Sequence, residues 1–174
     1  GLVEYGMQGT DGAIESIRLE PDGSFIYETI GDVEPEGLCG SGLIDLLAEL
    51  RRTERMSPLG VFDDGLMSIT IAADAGITLS RADASALAQA KAANTAGQWI
   101  VMRYLDIDPS DIDRLYLVGG FANYIDVENA IAIGFLPPIA PERAVKVGNA
   151  PLRGARRMLL SNTSRMLLEE LIGR

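Results

Sequence analysis

Leu115-Tyr116-Leu117-Val118-Gly119-Gly120-Phe121-Ala122 is an apolar run that stops at paired glycines. It predicts a strand over 115–118 that leaves through a tight turn toward a helix. Gly37-Leu38-Cys39-Gly40-Ser41-Gly42-Leu43-Ile44-Asp45 is its counterpart, a glycine–serine–glycine turn that opens a strongly apolar helix. Each stretch brings bare main chain to the end of an element. Without a Cβ, main chain can lie against a ligand, and N–H groups at a helix start face it. Either stretch alone also reads as a plain turn or an N-cap. Together they point to a nucleotide cleft.

Outward from these two stretches the pattern is α/β. Residues 13–20 and 24–30 alternate around Pro21-Asp22-Gly23-Ser24 and predict a β-hairpin. A helix is expected over 41–55, with Leu43, Ile44, Leu47 and Leu50 on one face and its charges on the other. Residues 67–72 and 76–79 read as short strands. Ser80 then caps a long helix to about Tyr104, with Asp83 in the capping-box position. Its small residues Ala90, Ala93 and Gly97 suggest that another element packs close there. A further helix is expected over 126–135, stopped by Pro137-Pro138. A strand over 144–147 precedes a helix capped by Asn149 with Pro151 in its first turn. The final segment, 162–171, reads as a second helix or as a continuation of this one.

Composition narrows the function. The 174 residues suit one domain with a real core, and 47% are apolar, which argues against disorder. The net charge of −10 and the presence of only two lysines, Lys91 and Lys146, argue against a nucleic-acid surface. Arg51-Arg52 and Arg153, Arg156 and Arg157 read as solvated helix faces. There is one cysteine and no histidine. An internal disulfide, a Cys–His zinc site and a Ser–His triad are therefore excluded, and a reducing, cytoplasmic location is expected. No apolar run reaches membrane-span length. Gly1-Leu2-Val3-Glu4 reads as a cut into a longer protein.

Several segments occur in the order of a known family: Gly6-Met7-Gln8, Gly12-Ala13-Ile14-Glu15, the run 37–45, Ala90-Lys91-Ala92-Ala93, the run 118–126, Ile133-Gly134 and Val147-Gly148-Asn149-Ala150. Together they resemble the C-terminal ATP-binding region of the reductive activators of corrinoid proteins. Those are ferredoxin-like iron–sulfur proteins whose ATPase domain belongs to the actin, sugar-kinase and Hsp70 superfamily. The resemblance covers nearly all of the chain. It implies a single ribonuclease-H-like domain over 1–174, a mixed sheet flanked by helices, as a fragment of a longer chain. It also implies a role in using ATP to return an inactive Co(II) corrinoid to Co(I), with ATP and Mg²⁺ as cofactors and a [2Fe–2S] cluster in a domain absent from this chain. The implied partner is the corrinoid protein of a methyltransferase system, and a homodimer is possible.

By the same resemblance, Gly119, Gly120 and Phe121 form the adenosine-binding turn, with Ala122 where many members have glycine. Gly40, Ser41 and Gly42 start a helix that faces the cleft, and Asn149 opens the helix on its adenosine side. Lys91 shares a helix face with Asn94 and Gln98, which reads either as adenosine-contacting or as solvated. The phosphate-holding Asp-x-Gly-Thr hairpin of the superfamily is missing from this sequence, so the isolated fragment is expected to be inactive. No residue is assigned a catalytic role.

Cys39 reads as a buried apolar thiol, or as a cluster ligand shared between subunits in the manner of dehydratase activators. With one cysteine and no histidine, no metal site is expected. Asp45, Asp63 and Asp64 are weak Mg²⁺ candidates, and Trp99 and the methionines are assigned to the core. The alternatives to the corrinoid reading are a non-catalytic dimerisation or partner-docking module, and the activator ATPase of a dehydratase or reductase.

Overall fold

The computed structural model describes residues 3–173. Among these residues, seven strands and five α-helices follow one another: β1 (Ala13–Leu19), β2 (Phe25–Thr29), β3 (Gly37–Leu38), α1 (Gly40–Arg52), β4 (Ser68–Ala72), β5 (Ile77–Ser80), α2 (Arg81–Tyr104), β6 (Leu115–Val118), α3 (Val127–Ala132), β7 (Ala144–Gly148), α4 (Ala150–Leu160) and α5 (Asn162–Ile172). The mixed α/β architecture is as expected, but the strands form three small sheets. β2-β1-β3 is mixed, β4-β5 is an antiparallel hairpin, and β6-β7 is a parallel pair.

α1 lies over β1 and holds the domain together. Leu46 and Leu50 from α1 join Ile14, Leu38, Ile77 and Leu79 in one core. Ile44 faces a second cluster with Ile125, Ala130 and Leu136, against which Leu115 and Leu117 of β6 pack. The expected separation of apolar and charged faces on α1 fails at two residues, because Asp45 and Glu49 are buried. The reason is an unpaired strand edge. β1 pairs with β3 only at Ala13 and Ile14, so its later N–H groups on that side need other partners. Glu49 Oε2 accepts from the Leu19 N–H at 3.0 Å, and the Ile17 N–H donates to Asp45.

The start of α2 carries the full capping box. Ser80 Oγ accepts from the Asp83 N–H at 3.1 Å, and the Asp83 carboxylate accepts from the Ser80 N–H at 3.0 Å and from the Glu4 N–H at 2.9 Å. Burial works against ionising Asp83, but the Ser80 hydroxyl, which donates to its carboxylate at 2.6 Å, together with the Glu4 and Ser80 N–H groups outweighs it and holds the carboxyl below the usual range.

Three expectations need correction. α3 ends at Ala132 rather than near residue 135, because Gly134 takes φ +74° directly after it and closes the helix. Gly97 has no neighbour where a Cβ would stand, so the small residues of α2 face open space. Trp99 is 44% exposed, and Met67 and Met166 are also exposed, so they lie outside the core, whereas Met56 and Met102 are buried. Gly1 and Leu2, part of the expected cut, lie outside the described residues.

Candidate nucleotide cleft

β6 and β7 run parallel, so their carboxyl ends lie together, with Val118 opposite Gly148. Ligand crevices of α/β sheets open at that end. Gly119 follows Val118 with φ +113°, and its N–H donates to the Gly148 carbonyl at 2.8 Å. Gly120 is right-handed helical and leads into a 3-10 turn, Phe121–Asn123. A Cβ built on Gly119 or on Gly120 meets no protein atom within 4 Å. These two glycines leave room that the chain itself does not fill.

A cleft of about 490 Å³ connects this turn to the start of α1. Gly40, Ser41, Gly120, Phe121 and Tyr124 line it, together with Cys39 and Glu15. The predicted pairing of the two glycine runs is therefore real in space. At the α1 start the Cys39 side chain accepts from no main-chain N–H of the first turn, so this helix start brings uncapped main chain to the cleft.

The glycines of the first run serve a different purpose from the one expected. A Cβ on Gly40 would stand 2.6 Å from Cε2 of Phe121, and a Cβ on Gly42 would stand 2.2 Å from the Ile14 carbonyl oxygen. Gly40 seats the Phe121 ring. Gly42 is buried and lets α1 lie against β1, so it does not line the cleft. Phe121 is also held edge-on by Phe135, at 6.4 Å and 84°. Ala122 is buried beneath the turn.

The remaining candidates lie elsewhere or are already engaged. Asn149 caps α4, its Oδ1 accepting from the Leu152 N–H at 3.0 Å. Lys91 lines a separate cavity between α1, α2 and the end of α3. Its helix face neither meets the cleft nor is merely solvated. Asn94 and Gln98 donate to the Phe135 carbonyl at 2.6 and 2.9 Å, and Thr95 Oγ1 donates to the Gly134 carbonyl at 2.7 Å. This polar face satisfies the main chain that α3 leaves behind. Cys39 is buried, with Sγ 3.4 Å from the Ile14 carbonyl and 3.2 Å from Ser41 Oγ.

The cavity that Asp45 lines does not include Asp63. The side chain of Asp64 lies outside the described residues. Asp45 sits between β1 and α3, accepting from Asn129 Nδ2 at 2.8 Å. Burial pushes its carboxyl above the ordinary 3.8, and the hydrogen bond from Asn129 only partly offsets this, while the nearby Asp126 and Glu49 carboxylates push it further. A raised folded-state value means that the native chain binds the proton more tightly than the unfolded one. Stability therefore falls as pH climbs from the unfolded value through the folded one. Asp45→Asn keeps an acceptor oxygen and removes that loss. Its melting temperature, measured against the parent, is expected to gain progressively as pH rises above the ordinary carboxyl value. A difference that stays flat with pH would show that Asp45 is not the group responsible.

No α-helix among the described residues is long and apolar enough to cross a membrane. The chain is similar to the corrinoid activation enzyme RamQ of Eubacterium limosum, with 33% identity over 183 residues, covering 91% of this chain and 31% of that protein. It is also similar to a solved structure titled reductive activator for corrinoid, iron–sulfur protein, with a TM-score of 0.84 and 33% identity, covering 97% of this chain and 30% of that one. The chain thus spans about a third of the length of these relatives. A family model described as the C-terminal domain of RACo, the ASKHA domain, matches residues 1–174, and the chain belongs to that family.

Proposed function

We propose that this domain supplies part of the ATP site of a longer, cytoplasmic iron–sulfur protein that reactivates a corrinoid methyl-transfer protein by reducing Co(II) to Co(I). The observation that carries the reading is the open Gly119–Gly120 turn at the carboxyl ends of β6 and β7, facing the start of α1 across one cleft. The names of the two relatives, both corrinoid activators, point to the same role. In that role a [2Fe–2S] cluster held by another domain supplies one electron, and ATP with Mg²⁺ supplies the driving free energy.

This chain's own residues bind and orient. The Gly119–Gly120 main chain gives the nucleotide a close approach, Phe121 walls the cleft from its seat on Gly40, and the uncapped first turn of α1 offers N–H groups. Ala122 lies buried beneath the turn. The test is optical. In full-length protein mixed with its Co(II) corrinoid partner and a reductant, the corrinoid spectrum is expected to shift to Co(I) only when ATP is present. A reduction rate indifferent to ATP would overturn the proposal.

Family membership favours this reading over a dehydratase activator. A docking or dimerising role alongside it is favoured by one observation. Leu159, Leu160, Leu167, Leu171 and Ile172 of α4 and α5 are all exposed, and large apolar side chains gathered on one exposed surface mark an interaction site.

A further inference from the structure

A second cavity, of about 390 Å³, shares no lining residue with the cleft. It lies between the later turns of α1, the first half of α2, the end of α3 and the loop over 56–60. Its walls are mainly apolar, with Leu47, Met56, Leu87 and Ile133 among them. Two cations, Arg51 and Lys91, also line it, and among the described residues no carboxylate does. Acids outnumber lysines and arginines by 25 to 15 in this chain, and Lys91 is one of two lysines. A cavity with two cations and no counter-charge therefore runs against the composition.

Both cations are half-buried, and neither is neutralised. Arg51 Nη1 donates to the Met56 carbonyl at 2.7 Å, which pins the guanidinium at the loop side. A Cβ built on Gly134 would stand 3.5 Å from Lys91 Nζ, so the ammonium lies at the α3 end. It is not needed there to satisfy main chain, because the Gly134 and Phe135 carbonyls accept from Thr95, Asn94 and Gln98. Among the described residues the Lys91 ammonium has no hydrogen-bond or ion-pair partner, and Arg51 has no ion pair. Drawing a cation partly out of water without a counter-charge is unfavourable. An anion in the cavity offsets this.

We propose that this cavity is a second ligand site, which takes a small amphipathic carboxylate. Lys91 and Arg51 hold its head, and Leu47, Leu87 and Ile133 receive a hydrocarbon body. The arginine fork matches the two oxygens of a carboxylate, and the volume is that of a small-molecule site. A phosphate is disfavoured, because its heavier charge holds water that apolar walls cannot replace. The ligand touches α1, α2 and the end of α3 at once, so binding ties these helices together. The site is independent of the nucleotide reading. Gly40 and Ser41 meet the cleft at the start of α1, whereas Leu47 and Arg51 meet this cavity from its later turns.

The probe is octanoate, titrated into the full-length protein by calorimetry. It is expected to bind the parent, to bind equally well when ATP is saturating, and to raise the melting temperature. Octanol and inorganic phosphate each carry half of the chemistry and are expected to bind about tenfold more weakly or less. Lys91→Met keeps the stem and removes the charge. It is expected to weaken octanoate about tenfold or more, as loss of a charge-assisted hydrogen bond implies, with a circular dichroism spectrum that matches the parent. Lys91→Arg is expected to retain most of the affinity. A parent that does not bind octanoate, octanol or phosphate that binds as tightly, a Lys91→Met that binds like the parent, or displacement of octanoate by ATP would each overturn the site. A parent that binds octanoate but no ATP would overturn the nucleotide reading and leave this site standing.

Discussion

Gly42→Ala is expected to destabilise the protein by about 3 kcal/mol or more, at or beyond the upper end of ordinary overpacking. The new Cβ would stand 2.2 Å from the Ile14 carbonyl oxygen, a main-chain atom in the middle of the core. A flexible side chain can swing away from such a contact, but a strand carbonyl cannot. α1 must lift from β1 instead, and two other contacts go with it. Glu49 loses the Leu19 N–H, and Asp45 loses the Ile17 N–H, so buried donors and acceptors are left without partners. For a domain with ordinary marginal stability this is a large fraction of the whole. The fall in the urea midpoint at unchanged m-value measures it. A midpoint equal to the parent's would mean that α1 and β1 are not in this close contact.

The sequence made the local signals legible. Pro21-Asp22-Gly23-Ser24 marked the hairpin, Ser80 with Asp83 marked the start of α2, and Asn149 with Pro151 marked the start of α4. Each works through atoms a few residues apart, which a linear reading can see. What it could not see is which distant groups a residue meets. Gly40, Gly42 and Gly120 look alike in the chain, yet the first answers to a phenyl ring, the second to a strand carbonyl and the third to empty space.

The polar face of α2 read as ligand-binding or solvated, because nothing in the sequence tells that Asn94 and Gln98 reach a carbonyl some forty residues away. Gly134 was the missed local signal. A glycine after an apolar helical turn is a stop sequence, and the prolines three residues later drew the boundary too far. Asp45 and Glu49 carried no local signal at all, since the free edge that recruits them exists only once β1 is paired on its other side.

Gly120→Val is expected to abolish most nucleotide binding while leaving the fold intact, and this separation makes it the sharper probe of function. Gly120 has φ −61° and ψ −47°, a conformation valine accepts, and its Cβ position is free of protein atoms. The backbone is unstrained by the substitution, and the new Cβ meets no protein atom within 4 Å. Gly119 would be a poorer choice, because φ +113° strains any side chain whatever the space around it. The branched side chain at residue 120 fills only the room that a ligand would use. A nucleotide held against that main chain must then move outward, away from the first turn of α1 and from the Phe121 ring together. Losing both sets of contacts is expected to weaken ATP binding by about a hundredfold, or roughly 2.8 kcal/mol at about 1.4 kcal/mol per decade. Calorimetry on the full-length variant reads the affinity, and a melting temperature equal to the parent's confirms that the fold survives. If Gly120→Val bound ATP with parent affinity, the open space at the ends of β6 and β7 would not be the nucleotide's place, and the helix start across the cleft would have to hold it without the turn.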